Sequence, residues 1–61
     1  MSSHIIIGKK HKVVRNVPTP DGMLYEGEVV KVTDMETTRV RVTDDLGKIY
    51  WIEPKHLQVI T

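Results

Sequence analysis

The chain contains no cysteine, no alanine and no phenylalanine. Each absence excludes something. Without Cys there is no disulfide and no thiolate metal site. A chain of 61 residues hides only about 60% of the surface its unfolded form exposes, so its stability margin is thin. Oligomerisation is the one staple left open to so small a domain. His4, His11 and His56 are widely scattered and no pair has ligand spacing, so neither a metal nor a cofactor is expected. Leu occurs only at Leu24, Leu46 and Leu57, against nine Val and six Ile. β-Branched side chains lose rotamer freedom in a helix and pack well on a pleated surface, so the composition excludes a helical protein and predicts an all-β one. No apolar run approaches the roughly 18 residues that a membrane helix needs. Ile5-Ile6-Ile7 is too short for a signal-peptide core, and its positive charges follow it instead of preceding it. A cytoplasmic protein is the expectation.

Acid is missing from one end. Residues 1–16 carry Lys9, Lys10, Lys12 and Arg15 and no Asp or Glu, whereas the remainder carries five bases and eight acids. The net charge of +1 is therefore the sum of a +4 segment and a −3 segment. Segregation of this kind suits an arm that contacts phosphate, and it also suits an ordinary solvated strand end.

Turn signals divide the rest. Residues 1–8 read as a tail ending at Gly8, and residues 9–61 as one domain. A strand is predicted over Lys12–Val17 and is stopped by Pro18 and Pro20, with Asp21-Gly22 as a turn. Leu24–Thr33 reads as the longest strand, with Gly27 inside it at a bulge or bend that lets Val29 and Val32 face one core. Thr38–Thr43 alternates, with Val40 and Val42 inward and Arg39 and Arg41 outward. Asp44–Gly47 is a hairpin loop, Lys48–Ile52 a fourth strand, Glu53–His56 a single 3-10 turn and Leu57–Ile60 the last strand. The predicted core is Val13 or Val14, Val29, Val32, Val40, Val42, Ile49 or Trp51, Leu57 and Ile60. A chain with one Trp needs that ring inside, which leaves Tyr50 as the exposed aromatic.

This order of elements resembles the SH3-like barrels over about Lys10–Ile60, and within them the Tudor and KOW branches. Asp21-Gly22-Met23-Leu24-Tyr25-Glu26-Gly27-Glu28-Val29 is similar to the Tudor turn, aromatic and entering strand. Gly27-x-Val29-x-x-Val32 followed by Val40-x-Val42 resembles the glycine-centred KOW motif. Trp51–Leu57 resembles the strand, Pro-containing 3-10 turn and last strand shared by SH3-like domains. The resemblance implies a small five-stranded SH3-like barrel with a 3-10 turn before its last strand. It departs from a methyl-lysine cage, because only Tyr25, Tyr50 and Trp51 are aromatic and the last two point to opposite faces. The plasmid-type dihydrofolate reductases share the class, but the Gln of their Val-Gln-Ile-Tyr stretch is absent from Lys48-Ile49-Tyr50-Trp51.

Catalysis has little to stand on. Ser2 and Ser3 are the only serines, and Asp44-Asp45 reads as turn chemistry. No enzyme is expected. The bland reading of Arg39 and Arg41 is a solvated face paired with Glu26 and Glu28. The functional reading is a basic stripe that follows a phosphate backbone, continued by Lys9, Lys10, Lys12 and Arg15, with Tyr25 and Tyr50 as stacking aromatics. The expectation is a non-catalytic module that contacts nucleic acid through these residues. The alternative is a protein-interaction module docking on a larger partner. Ile5-Ile6-Ile7 is expected to pair with its own barrel, or to join a second copy as a homodimer.

Overall fold

A computed structural model describes residues 5–60, and it is all-β. The strands are β1 (Lys10–Val13), β2 (Val17–Thr19), β3 (Gly22–Leu24), β4 (Val29–Met35), β5 (Val40–Thr43), β6 (Ile49–Ile52) and β7 (Leu57–Val59), with a 3-10 turn over Pro54–His56 between the last two. Five of them form one antiparallel sheet in the order β6-β5-β4-β1-β7, and β2 and β3 form a separate hairpin. The expected barrel is therefore not closed by hydrogen bonds, because β6 and β7 are both edges. The first four residues of the tail, including Ser2, Ser3 and His4, lie outside the described residues, as does Thr61.

The ladder between β1 and β4 reaches beyond the strand ends. It pairs Lys10 with Lys31, His11 with Val30 and Lys12 with Val29. It runs on at both ends through Gly8 N–H to Val32 O (2.8 Å) and Gly27 N–H to Val13 O (2.8 Å). Alternation then decides what is inside. Val13, Val30, Val32, Val40, Val42, Tyr50, Ile52 and Leu57 face one core, joined by Val17 and Leu24 from the hairpin.

Several sequence expectations change. The predicted strand Lys12–Val17 is cut to β1, and β2 begins only at Val17. The predicted strand Leu24–Thr33 is two strands, with Gly27 in the turn between them at φ +94°. Nothing stands within 4 Å of the position a Gly27 side chain would take, so it is the left-handed backbone and not crowding that calls for glycine. The bend does not bring Val29 inward. Val30 and Val32 alternate into the core, and Val29 is 39% exposed. The irregularity in β4 falls instead between Val32 and Asp34, where the register against β5 shifts. Ile60 is 47% exposed and is not core.

The aromatic pair is inverted relative to expectation. Val40 and Val42 face inward, and their partners on β6 are Ile52 and Tyr50. Tyr50 is thus 6% exposed, and Trp51 lies outward and only partly covered. The hairpin covers the Tyr50 side: Lys48 Nζ lies 5.4 Å from the Tyr50 ring centroid, and also beside Gly22 of β3.

Among the described residues, one polar side chain is wholly buried. His11 has no exposed surface and shares its side of β1 with Val13. Its Nδ1 is 3.0 Å from the Lys9 carbonyl, and Ile6 N–H donates to its Nε2 at 3.2 Å. A carbonyl can only accept and a backbone N–H can only donate, so the ring is the neutral tautomer protonated at Nδ1. This ring holds the end of the tail. Ile5 packs against the core cluster, while Ile6 and Ile7 remain exposed. The triplet folds back on its own domain through Ile5 and the Gly8–Val32 bond, without forming a strand.

Tyr50→Ala is expected to cost about 3–5 kcal/mol, by analogy with other large aromatic deletions, which in so small a domain abolishes the fold. Trp51→Ala retains a dispersed amide NMR spectrum. The reverse pair of outcomes would return Trp51 to the core. His11→Leu leaves the Ile6 N–H without its acceptor and lowers stability by about 1–3 kcal/mol in thermal or denaturant melts. His11→Gln, with both a donor and an acceptor, loses less.

Candidate functional site

The outward face of the five-stranded sheet gathers the charges that the sequence scatters. Along one row across the strands stand Ile49 of β6, Thr43 of β5, Lys31 of β4 and Lys10 of β1, each the direct register partner of the next. The next row places Lys12 of β1 between Val29 and Gln58. On the other side of the first row, Trp51 is the partner of Arg41, which is in turn opposite Asp34. Lys10 and Lys12 of β1, Lys31 of β4 and Arg41 of β5 therefore share one face, on which Asp34 stands opposite Arg41.

Lys10 and Lys31 are like charges directly opposite each other, a pairing that destabilises a sheet. Among the described residues, none of Lys10, Lys12, Lys31 and Arg41 forms an ion pair. A shallow depression lies beside the two lysines, with Asp44 and Asp45 on its rim. Asp44 is engaged locally, its Oδ1 accepting from the Leu46 and Lys48 N–H groups at 2.9 Å each. Asp45 lines the same depression.

Arg41 is held in place. Its Nε donates to Thr33 Oγ1 at 3.0 Å, and that hydroxyl donates to the Arg41 carbonyl at 3.3 Å. Thr33 sits where the β4–β5 register shifts, so the irregularity supplies the anchor for the guanidinium. The remaining N–H groups of Arg41 stay available as donors. Arg39 is held more loosely. Its guanidinium lies 5.5 Å from the Trp51 ring centroid and 3.8 Å from Glu36, with both charged side chains more than half exposed. An exposed cation–π contact contributes about 0.5–1 kcal/mol and an exposed ion pair about 0–1 kcal/mol.

The residues singled out from sequence separate into three groups. Lys10, Lys12 and Arg41 belong to the outward face, with Arg39 at its margin. Lys9 and Arg15 are exposed but lie off it, Lys9 on the alternate side of the β1 ladder and Arg15 in the bend before β2, near His56. Tyr25 is 59% exposed in the turn between β3 and β4, outside the five-stranded sheet, and Tyr50 is buried. Tyr50 is therefore unavailable for stacking. Arg39 pairs with Glu36, not with Glu26 or Glu28; Glu28 instead accepts the Tyr25 N–H at 2.7 Å. Lys31 and Trp51 are the members of the face that sequence reasoning left out of the site. The signal for Lys31 was its alternation with Val30 and Val32. That for Trp51 was the pairing of β6 with the clearly alternating β5.

No family model, no curated protein and no solved structure matches the chain. Among the described residues, no helix is long and apolar enough to cross a membrane.

His56, in the 3-10 turn, carries a buried Nδ1 with no hydrogen-bond partner. Burial lowers its pKa from the usual value, Lys55 and Arg15 lower it further, and Glu53 opposes them. As the pH falls through about 6.5, the unfolded chain takes up this proton before the folded one does. Stability from this group is complete above that pH and declines below it. Melting temperatures measured between pH 5 and pH 8 should rise with pH, and His56→Gln should flatten part of the rise. An unchanged pH profile in that variant would remove His56 as a source.

Proposed function

We propose that this chain is a non-catalytic nucleic-acid-binding module of SH3-like design, with Lys10, Lys12, Lys31 and Arg41 contacting the phosphate backbone. The strand order supports the SH3-like reading. The first strand lies between the longest strand and the last, a hairpin is inserted between β1 and β4, and a 3-10 turn precedes the last strand. The Tudor and KOW likeness rests on the segment around Gly27 and is part of the same proposal. An aromatic cage is not, since Tyr50 is buried and Trp51 lies on the opposite side of β6.

The observation that carries the functional reading is the direct opposition of Lys10 and Lys31, neither of which has an ion-pair partner among the described residues. A folded domain with eight acids available sets two lysines against each other on a sheet face and leaves them without an ion pair among the described residues. A polyanion relieves that repulsion on binding and releases its own counterions as it does so. The Ile5–Ile7 segment gives a protein-docking arm little support, because Ile5 is used by its own core.

Binding is non-specific and micromolar near physiological salt. Four phosphate contacts give a slope of log K against log salt of about −2.8 to −3.6, or a roughly 50- to 150-fold loss of affinity between about 50 and about 200 mM salt. Titration of labelled oligonucleotides by fluorescence anisotropy checks this, and no binding at the lower salt would overturn it. Lys31→Glu separates binding from folding. It turns a like-charge pair into an opposite one, so binding should fall at least tenfold while stability holds or rises by about 0.2–1 kcal/mol.

A further inference from the structure

We propose that the nucleic acid taken by this face is single-stranded, and that Trp51 stacks one of its bases. The inference rests on the nucleic-acid reading above and deepens it. Trp51 is the aromatic on the outward side of β6, and its register partner is Arg41, the guanidinium anchored by Thr33. A stacking surface and a preset phosphate donor thus occupy one register row. On β4 that row holds Asp34, opposite Arg41, and the positive charge resumes in the neighbouring row with Lys31 and Lys10. From β6 to β1 is three strand spacings of about 4.8 Å each, a span suited to a few nucleotides of an extended chain.

The face of the indole already receives a planar cation. Arg39 lies over it at 5.5 Å, held otherwise by one exposed contact to Glu36 at 3.8 Å. Neither contact is strong, so a base either displaces Arg39 or sits on the other face of the ring to complete a stack. Bases inside a duplex present only their edges, and a side chain on the outer face of a sheet cannot reach between stacked bases. An unpaired strand offers those faces freely, and stacking on an aromatic ring is sequence-tolerant because every base has a π-face. Selectivity is therefore for strandedness and not for sequence.

Trp51 is the single tryptophan of the chain, so its emission reports on this site alone. The full chain at about 50 mM salt, where phosphate contacts are strong, is titrated with oligothymidine and with a duplex of matched length. Tryptophan emission is followed, and in parallel the anisotropy of labelled oligonucleotides is measured with wild type, Trp51→Leu and Trp51→Phe. The expected result is quenching by the single strand, weaker quenching by the duplex, and about tenfold weaker single-strand binding in Trp51→Leu. Duplex affinity should change less than twofold in that variant, and Trp51→Phe should recover most of the loss. Binding of both forms with the usual salt dependence, but without quenching and without loss in Trp51→Leu, overturns the stacking role and leaves the phosphate-binding face intact. Equal dependence on Trp51 for both forms overturns the preference for single strands. Absence of binding by either form at this salt overturns the nucleic-acid reading itself, and this inference with it.

Discussion

The pairing of β1 with β4 is the constraint on which the rest of this structure depends. One register sets Lys10 against Lys31, His11 against Val30 and Lys12 against Val29. Because side chains alternate, a slip of one residue would send His11 and Val13 to solvent and bring lysines into the core. The hydrophobic requirement on the inner face therefore dictates the outer face, including its like-charge opposition. The valines of β4 and β5 hold the core together, and the lysines follow from the same alternation.

The same ladder positions the visible end of the tail. Its extension through Gly8, at φ +89°, returns the chain so that Ile6 N–H meets the buried ring of His11. A buried imidazole is tolerable only when both nitrogens are satisfied. Here one donates to Lys9 O and the other accepts from Ile6 N–H, which links core, tail and sheet in one hydrogen-bonded unit. Ile5 adds apolar cover to that link.

The candidate face combines rigid and loose parts. Lys10, Lys12 and Lys31 stand on paired strands, and Arg41 is braced by a threonine at a register shift. Arg39 and Asp45, by contrast, lie at the margin with only weak or no partners among the described residues. A surface of this kind positions charge without enclosing a pocket.

The sequence alone determined the all-β class, the hairpin loop at Asp44–Gly47, the 3-10 turn after Glu53 and the inward direction of Val40 and Val42, because each rests on local chemistry: β-branched composition, turn residues, or unbroken alternation. It also marked Lys10, Lys12, Arg39 and Arg41 as basic residues of strands or their flanks. Only the tertiary structure decided between Val29 and Val30, and between Tyr50 and Trp51. Both are neighbouring apolar pairs, in which alternation admits either phase, and pairing with an adjacent strand breaks the tie. Burial of His11 likewise needed two backbone partners that are not apparent from composition. That Lys10, Lys12 and Arg41 share a face with Lys31, while Lys9 and Arg15 do not, was decided by pairing across strands, since a sheet brings together residues that the chain keeps far apart.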